Sequence, residues 1–166
     1  MFVNSLVNTL VRGEINTEKG KDWKFDGVPH KFSFSVEKGI YLVGVDLLGL
    51  PLDSKKEKEA TTVYLSVVES DILRRRRWGR PMTLMPLKVF NVVLEKDKLT
   101  RIHLPFPVRI QPEVWVDLGV QIEGTKTAIM KAKGGDQILG DDKMVVFHTL
   151  FSRNTLQMPQ IHYLLA

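Results

Sequence analysis

Residues 23–49 contain the pattern that most restricts how this chain can fold. Phe32, Phe34 and Val36 alternate with Lys31, Ser33 and Ser35, a period of two that puts three apolar groups on one face of a strand and polar groups on the other. Glu37, Lys38 and Gly39 then join this strand to a second one, making a strand pair. The second stretch, 40–47, is apolar on both faces and interrupted by Gly44. That predicts a strand in the middle of a sandwich, or one bulged where backbones approach closely. Trp23 and Phe25 precede the turn-forming Asp26 and Gly27 and are placed to fold back over the end of that core.

The rest of the chain keeps the same character. Residues 1–13 carry Phe2, Val3, Leu6, Val7, Leu10 and Val11, a spacing that fits a lead-in strand and also a short amphipathic helix, with the strand preferred. The mixed-charge run 53–59 reads as a solvated loop. Residues 61–68 are rich in β-branched side chains and predict a strand. Two further strands at 87–94 and 99–104 are separated by a turn-like 95–98 and read most simply as a hairpin. Pro105, Pro107 and Pro112 surround Phe106, Val108 and Ile110, extended backbone poorly suited to a central ladder. The clearest strand of the second half is 114–122, where Val114, Val116, Leu118, Val120 and Ile122 alternate with Trp115, Asp117, Gly119 and Gln121. Strands at 144–151 and 161–165 close the chain. About ten short strands with turn signals between them, and no alternation with long helices, predict an all-β antiparallel sandwich.

A length of 166 residues fits one domain with a real core and no need of staples. Residues 1–20 are read as an N-terminal lead-in and residues 21–166 as the domain. The chain has no cysteine, which excludes disulfides, cysteine-ligated zinc and a RING domain within it, and suits a reducing compartment. No apolar run approaches the roughly 20 residues that span a bilayer, and the first residues lack the basic and apolar regions of a signal peptide. A cytoplasmic protein without membrane contact is the expectation. The net charge of +5 equals the contribution of Arg74, Arg75, Arg76, Arg77 and Arg80, so a single short segment makes the protein basic.

Signals for chemistry are sparse. His30, His103, His148 and His162 lack the close spacing of a zinc motif, although His148 and His162 stand near the ends of the two closing strands. No nucleophile elbow, P-loop or dinucleotide fingerprint occurs. Asp46, Asp117 and Glu123 would serve glycoside hydrolysis only if the fold brought them together. Neither a metal nor another cofactor is expected, and the chain reads as a non-enzyme.

Three stretches taken together resemble the PHR domain, the module of the Pam/Highwire/Rpm proteins and of the BTB-PHR adaptors. They are W-x-F-x-G with F-x-F-x-V and K-x-I-x-L-x-G-x-x-L-x-G in residues 23–49, F-P-V-R-I-Q-P-x-x-W-x-x-x-x-V-x-I-x-G in 106–124, and N-T-L-Q-M-P-Q-I-H-Y in 154–163. The resemblance implies a β-sandwich of jelly-roll character and a non-enzymatic recognition module of ubiquitin-ligase machinery. In the adaptors a BTB domain contacts the cullin, and a BTB domain does not fit beside a sandwich within this length. The chain departs from the family in its loops. It is longer between Glu69 and Leu99, it carries T-K-T-A-I-M-K-A-K-G-G-D after Gly124, and it lacks the glycine before Gln157.

Loops on a rigid sandwich carry recognition, so the expected partner-binding residues are Arg74, Arg75, Arg76, Arg77, Trp78 and Arg80, with Lys126, Lys131 and Lys133 from the later loop. Guanidinium groups grip carboxylates or phosphates through paired hydrogen bonds. The expected partner is therefore a protein with an acidic surface, a ubiquitin-ligase component or its target. Nucleic acid bound through the same arginines, with Trp78 stacking on a base, is the alternative. A carbohydrate-binding or catalytic jelly roll is a second.

Overall fold

The computed structural model describes residues 7–16, 22–24, 27, 29–70, 81–132, 137–150 and 157–166. Among them there is no helix, and fourteen strands carry the chain. Six form one sheet in the order β12 (Gln137–Leu139), β13 (Val146–Leu150), β4 (His30–Val36), β9 (Val116–Ile122), β6 (Lys58–Glu69) and β7 (Thr83–Glu95). Four form a second sheet in the order β1 (Asn8–Val11), β14 (Gln160–Leu165), β5 (Ile40–Leu48) and β8 (Leu99–Ile110). Two small pairs, β3 (Asp22–Lys24) with β10 (Lys126–Ala128) and β2 (Gly13–Ile15) with β11 (Met130–Ala132), complete the described fold. The pairings within these sheets are antiparallel, as the turn-punctuated strand pattern predicts.

The alternating rows form the core. Phe32, Phe34 and Val36 of β4, Val63, Leu65 and Val67 of β6, and Val116, Leu118, Val120 and Ile122 of β9 line one side. Ile40, Leu42, Val45 and Leu47 of β5, with Ile161 and Tyr163 of β14 and Ile102, Val108 and Ile110 of β8, belong to the same buried cluster. In β5 the inward residues change from even to odd numbers at Gly44. There the register shifts against both neighbouring strands, and a Cβ on Gly44 would stand 3.1 Å from the carbonyl oxygen of Ile102. The strand is bulged, and this explains why it reads as apolar on both faces. Leu48 points outward and is buried in a second small cluster with Ala128, Met130 and Ile15.

The hairpin expected of 87–94 with 99–104 is instead a crossing between sheets, and so is the junction of the opening strand pair. β4 and β5 lie in different sheets, joined over Glu37, Lys38 and Gly39, and β7 and β8 do likewise. The turn after β7 is occupied by the end of β5, since Gly49 N donates to Lys98 O (3.0 Å) and Leu50 N to Glu95 O (3.1 Å). Pro105 and Pro107 sit on β8, an edge strand, inside the irregular stretch between its pairings at His103 and Val108. No ladder donor is required there. Residues 8–11 are strand and not helix, paired with residues 160–163 of β14. Trp23 packs against the core, its ring 3.6 Å from that of His30, while Phe25 lies outside the described residues.

Buried polar groups fasten the closing segment. Arg12 is 6 % exposed. Its Nη1 donates to Gln157 O (3.1 Å) and Met158 O (2.9 Å), and its guanidinium lies 3.7 Å over the Phe32 ring. Burial brings its pKa down to about 9, so it stays charged at neutral pH and satisfied by carbonyls. Gln157 Oε1 accepts from Leu48 N (2.9 Å) and Met158 N (3.2 Å), while its Nε2 donates to Thr127 Oγ1 (2.7 Å). A single amide thus joins β5, β10 and the run into β14.

Candidate interaction surface

At one end of the six-stranded sheet the chain leaves a recess of about 520 Å3 lined by Ser35, Val36, Glu37, Glu113, Trp115 and His148. Local structure explains each wall. β4 ends at Val36, whose carbonyl accepts from Glu113 N (2.8 Å), and this tethers the turn that follows Pro112. Glu113 holds a left-handed φ of 65°, uncommon for a residue with a Cβ, and so turns the chain back toward Trp115 and β9. His148 Nε2 lies 3.0 Å from Glu37 Oε1. Two carboxylates and Trp115 therefore border an open cavity, a combination suited to a cationic or amide-bearing side chain.

The described residues on either side of 71–80 are held where β6 and β9 meet near Trp115. Ser70 N donates to Trp115 O (2.9 Å), and Glu69 and Met82 are tied twice, through Glu69 N to Met82 O (2.8 Å) and Met82 N to Glu69 Oε1 (2.8 Å). Arg74, Arg75, Arg76, Arg77, Trp78 and Arg80 themselves lie outside the described residues, as does Lys133. Lys126 and Lys131 are described and exposed. β9 runs from Val116 beside Glu69 to Ile122 beside Val63, so Lys126, just beyond Ile122 and Gly124, belongs to the opposite end. It borders a recess of about 390 Å3 with Asp22, Asp53, Ser54, Lys55, Lys56 and Glu59, where charges of both signs are mixed. Lys131 stands on another small sheet, opposite Glu14.

The groups considered for catalysis are dispersed. Asp46 lies on the outward side of β5 in the four-stranded sheet, and Asp117 is in the other sheet, accepting from Ser33 Oγ at 2.6 Å. His148 and His162 are likewise in different sheets. His162 Nδ1 lies 3.0 Å from Thr9 Oγ1 and its Nε2 lies 3.0 Å from Asp46 Oδ1, which also accepts from Arg101 Nε at 3.2 Å. Burial alone would raise the Asp46 pKa, but His162 and Arg101 together hold it below the ordinary carboxylate value. The hydroxyl, imidazole and carboxylate invite comparison with a triad, yet His162 is only 2 % exposed. No reacting atom can reach a ring so enclosed, and the constellation works as a clasp across β1, β14, β5 and β8. Among the described residues no group of three or more His, Cys, Asp or Glu is arranged to hold a metal.

Sequence reasoning placed Trp115 on the face opposite the apolar row of 114–122, weighed His148 only beside His162, and did not single out Glu37 or Glu113 as site residues. Glu37 and His148 are separated by 111 positions, and only the pairing of β4 with β13 brings them together. The one local signal was the turn around Pro112, which fixes where Trp115 emerges.

Compared with protein-family models, the chain matches the PHR domain over residues 16–162, and it belongs to the PHR domain family, a family of protein-interaction modules. No curated protein matches it.

Proposed function

We propose that this PHR domain recruits a protein partner or target to a cullin- or RING-type ubiquitin ligase in the cytoplasm, with nuclear access open through the arginine run. The family match over residues 16–162 carries the reading. Charge placement supports it, because the five arginines that account for the net +5 fall in sequence between Ser70, which is bonded to Trp115, and Met82, which is bonded to Glu69. An acidic protein surface would satisfy the guanidinium groups while a basic or amide side chain entered between Glu37 and Glu113. Such pairing is specific because both signs must match.

The experiment is capture from a cytosolic lysate on the immobilised domain, with and without nuclease, at moderate salt. A nuclease-resistant set that includes cullin or RING ligase subunits is the expected result. Loss of the bound material on nuclease treatment, with a steep salt dependence from counterion release, would replace this reading with nucleic-acid binding.

A further inference from the structure

Among the described residues β7 ends the six-stranded sheet, with no strand paired on its outer side. Leu87, Val89 and Val93 on its outward face are 54 %, 59 % and 50 % exposed. The direction of its backbone groups follows from its neighbours. Glu123 N donates to Thr62 O, so the carbonyl of Thr62 faces away from β7, and bonding to β7 falls to the alternate residues Thr61, Val63 and Leu65. Their partners are Val92, Phe90 and Lys88. The N–H and C=O of Leu87, Val89, Asn91 and Val93 therefore face the open edge. The far end agrees, because the carbonyl of Glu95, next in that series, accepts from Leu50 N, whereas Lys96 N donates back to Glu57 O.

Proteins usually blunt such an edge with charge, proline or a bulge. Here Pro86 lies just outside the exposed run, where the pairing with β6 is irregular between Leu65 and Val67. Lys88 is the one charged residue from Leu87 to Val93, and it stands on the inward row. We propose that this edge pairs with the same edge of a second copy of the chain, antiparallel about Phe90. In that register Leu87 faces the partner's Val93, Val89 faces the partner's Asn91, and each of these pairs exchanges two backbone hydrogen bonds. Every outward-facing group from Leu87 to Val93 is then used on both copies.

The alternative centre at Asn91 sets Leu87 against the partner's Glu95, whose carbonyl is already taken by Leu50. About Phe90, apolar side chains meet apolar ones at Leu87 and the partner's Val93, the two Phe90 rings adjoin, and Lys88 faces the partner's Val92 and not its own copy. This self-match favours a second copy over a foreign strand. A seam of one short strand per chain lies at the small end of protein interfaces, so the dimer is a weak, concentration-dependent one.

Sedimentation equilibrium from about 10 μM to about 1 mM tests it. The mass is expected to rise from 19.0 kDa toward twice that value. Asn91→Pro removes an outward N–H without touching a backbone bond to β6, losing only the exposed contact of Asn91 Oδ1 with Thr62 Oγ1 (3.4 Å), and Val89→Lys places a charge in the seam. Each should weaken association by about tenfold or more, with the thermal midpoint and far-UV circular dichroism of the wild type. Should Asn91→Pro fail to fold, Val89→Lys alone decides. A wild-type chain that stays monomeric throughout, whether or not the edge takes up an added peptide strand, overturns the proposal, as does a folded Val89→Lys variant that associates like the wild type.

Discussion

Gln157→Ala is expected to cost about 3–5 kcal/mol of folding stability. The amide serves three buried partners at once, the N–H groups of Leu48 and Met158 and the hydroxyl of Thr127, and Gln157 itself is fully buried. Truncation leaves the two N–H groups unpaired away from water, at about 1–3 kcal/mol per group before relaxation, and removes the donor to the Thr127 hydroxyl. Gln157→Glu restores no more than part of this. Its carboxylate can accept from the two N–H groups, but it cannot donate to Thr127, whose own proton goes to Ala128 O (3.0 Å). It also buries a charge. Urea denaturation measures both variants, and a loss below about 1 kcal/mol for Gln157→Ala would mean that water enters and replaces the amide. The stake is large, since a domain of this kind has about 5–15 kcal/mol in total.

Gly49→Ala is expected to be comparably damaging, at about 3 kcal/mol or more. A Cβ on Gly49 would overlap the carbonyl oxygen of Glu95 and stand 2.7 Å from that of Lys98. Both belong to the backbone of the turn after β7, and both carbonyls are held in hydrogen bonds by Gly49 and Leu50. No side chain can rotate away to make room. Gly119→Ala is the control, because its Cβ would meet only the Ser66 hydroxyl, at 3.3 Å, and that group can turn aside. It should stay within about 1 kcal/mol of the wild type. If Gly49→Ala behaves like Gly119→Ala in the same denaturation experiment, the close docking of β5 onto that turn is wrong.

Local pattern and long-range placement differ sharply in how well the sequence exposes them. The alternation in β4 and β9 is visible residue by residue, since half-burial leaves a period of two in the chain itself. The bulge in β5 was legible through Gly44, because close backbone approach excludes a Cβ. Sheet membership was not. Whether β7 pairs with β8 or crosses to the opposite sheet depends on Gly49 and Leu50, some 45 residues earlier, occupying the intervening turn. The Trp115 recess was hidden for the same reason, as Glu37 and His148 meet only when β13 is laid against β4. Gln157 stood in the family-like closing motif without a visible role, and its three partners lie on segments far apart in sequence. The arginine run, by contrast, is pure composition and was conspicuous from the start.

The proposed contact made by that run is the centre of the functional account, and the most direct measurement replaces Arg74, Arg75, Arg76 and Arg77 together by Glu and repeats the lysate capture beside Lys126→Glu. Reversing the charge of the run should abolish recovery of the nuclease-resistant partner while the denaturation curve stays that of the wild type. Lys126→Glu, at the opposite end and among charges of both signs, should leave recovery unchanged. Undiminished capture by the folded quadruple variant would contradict the account and move recognition elsewhere on the sandwich.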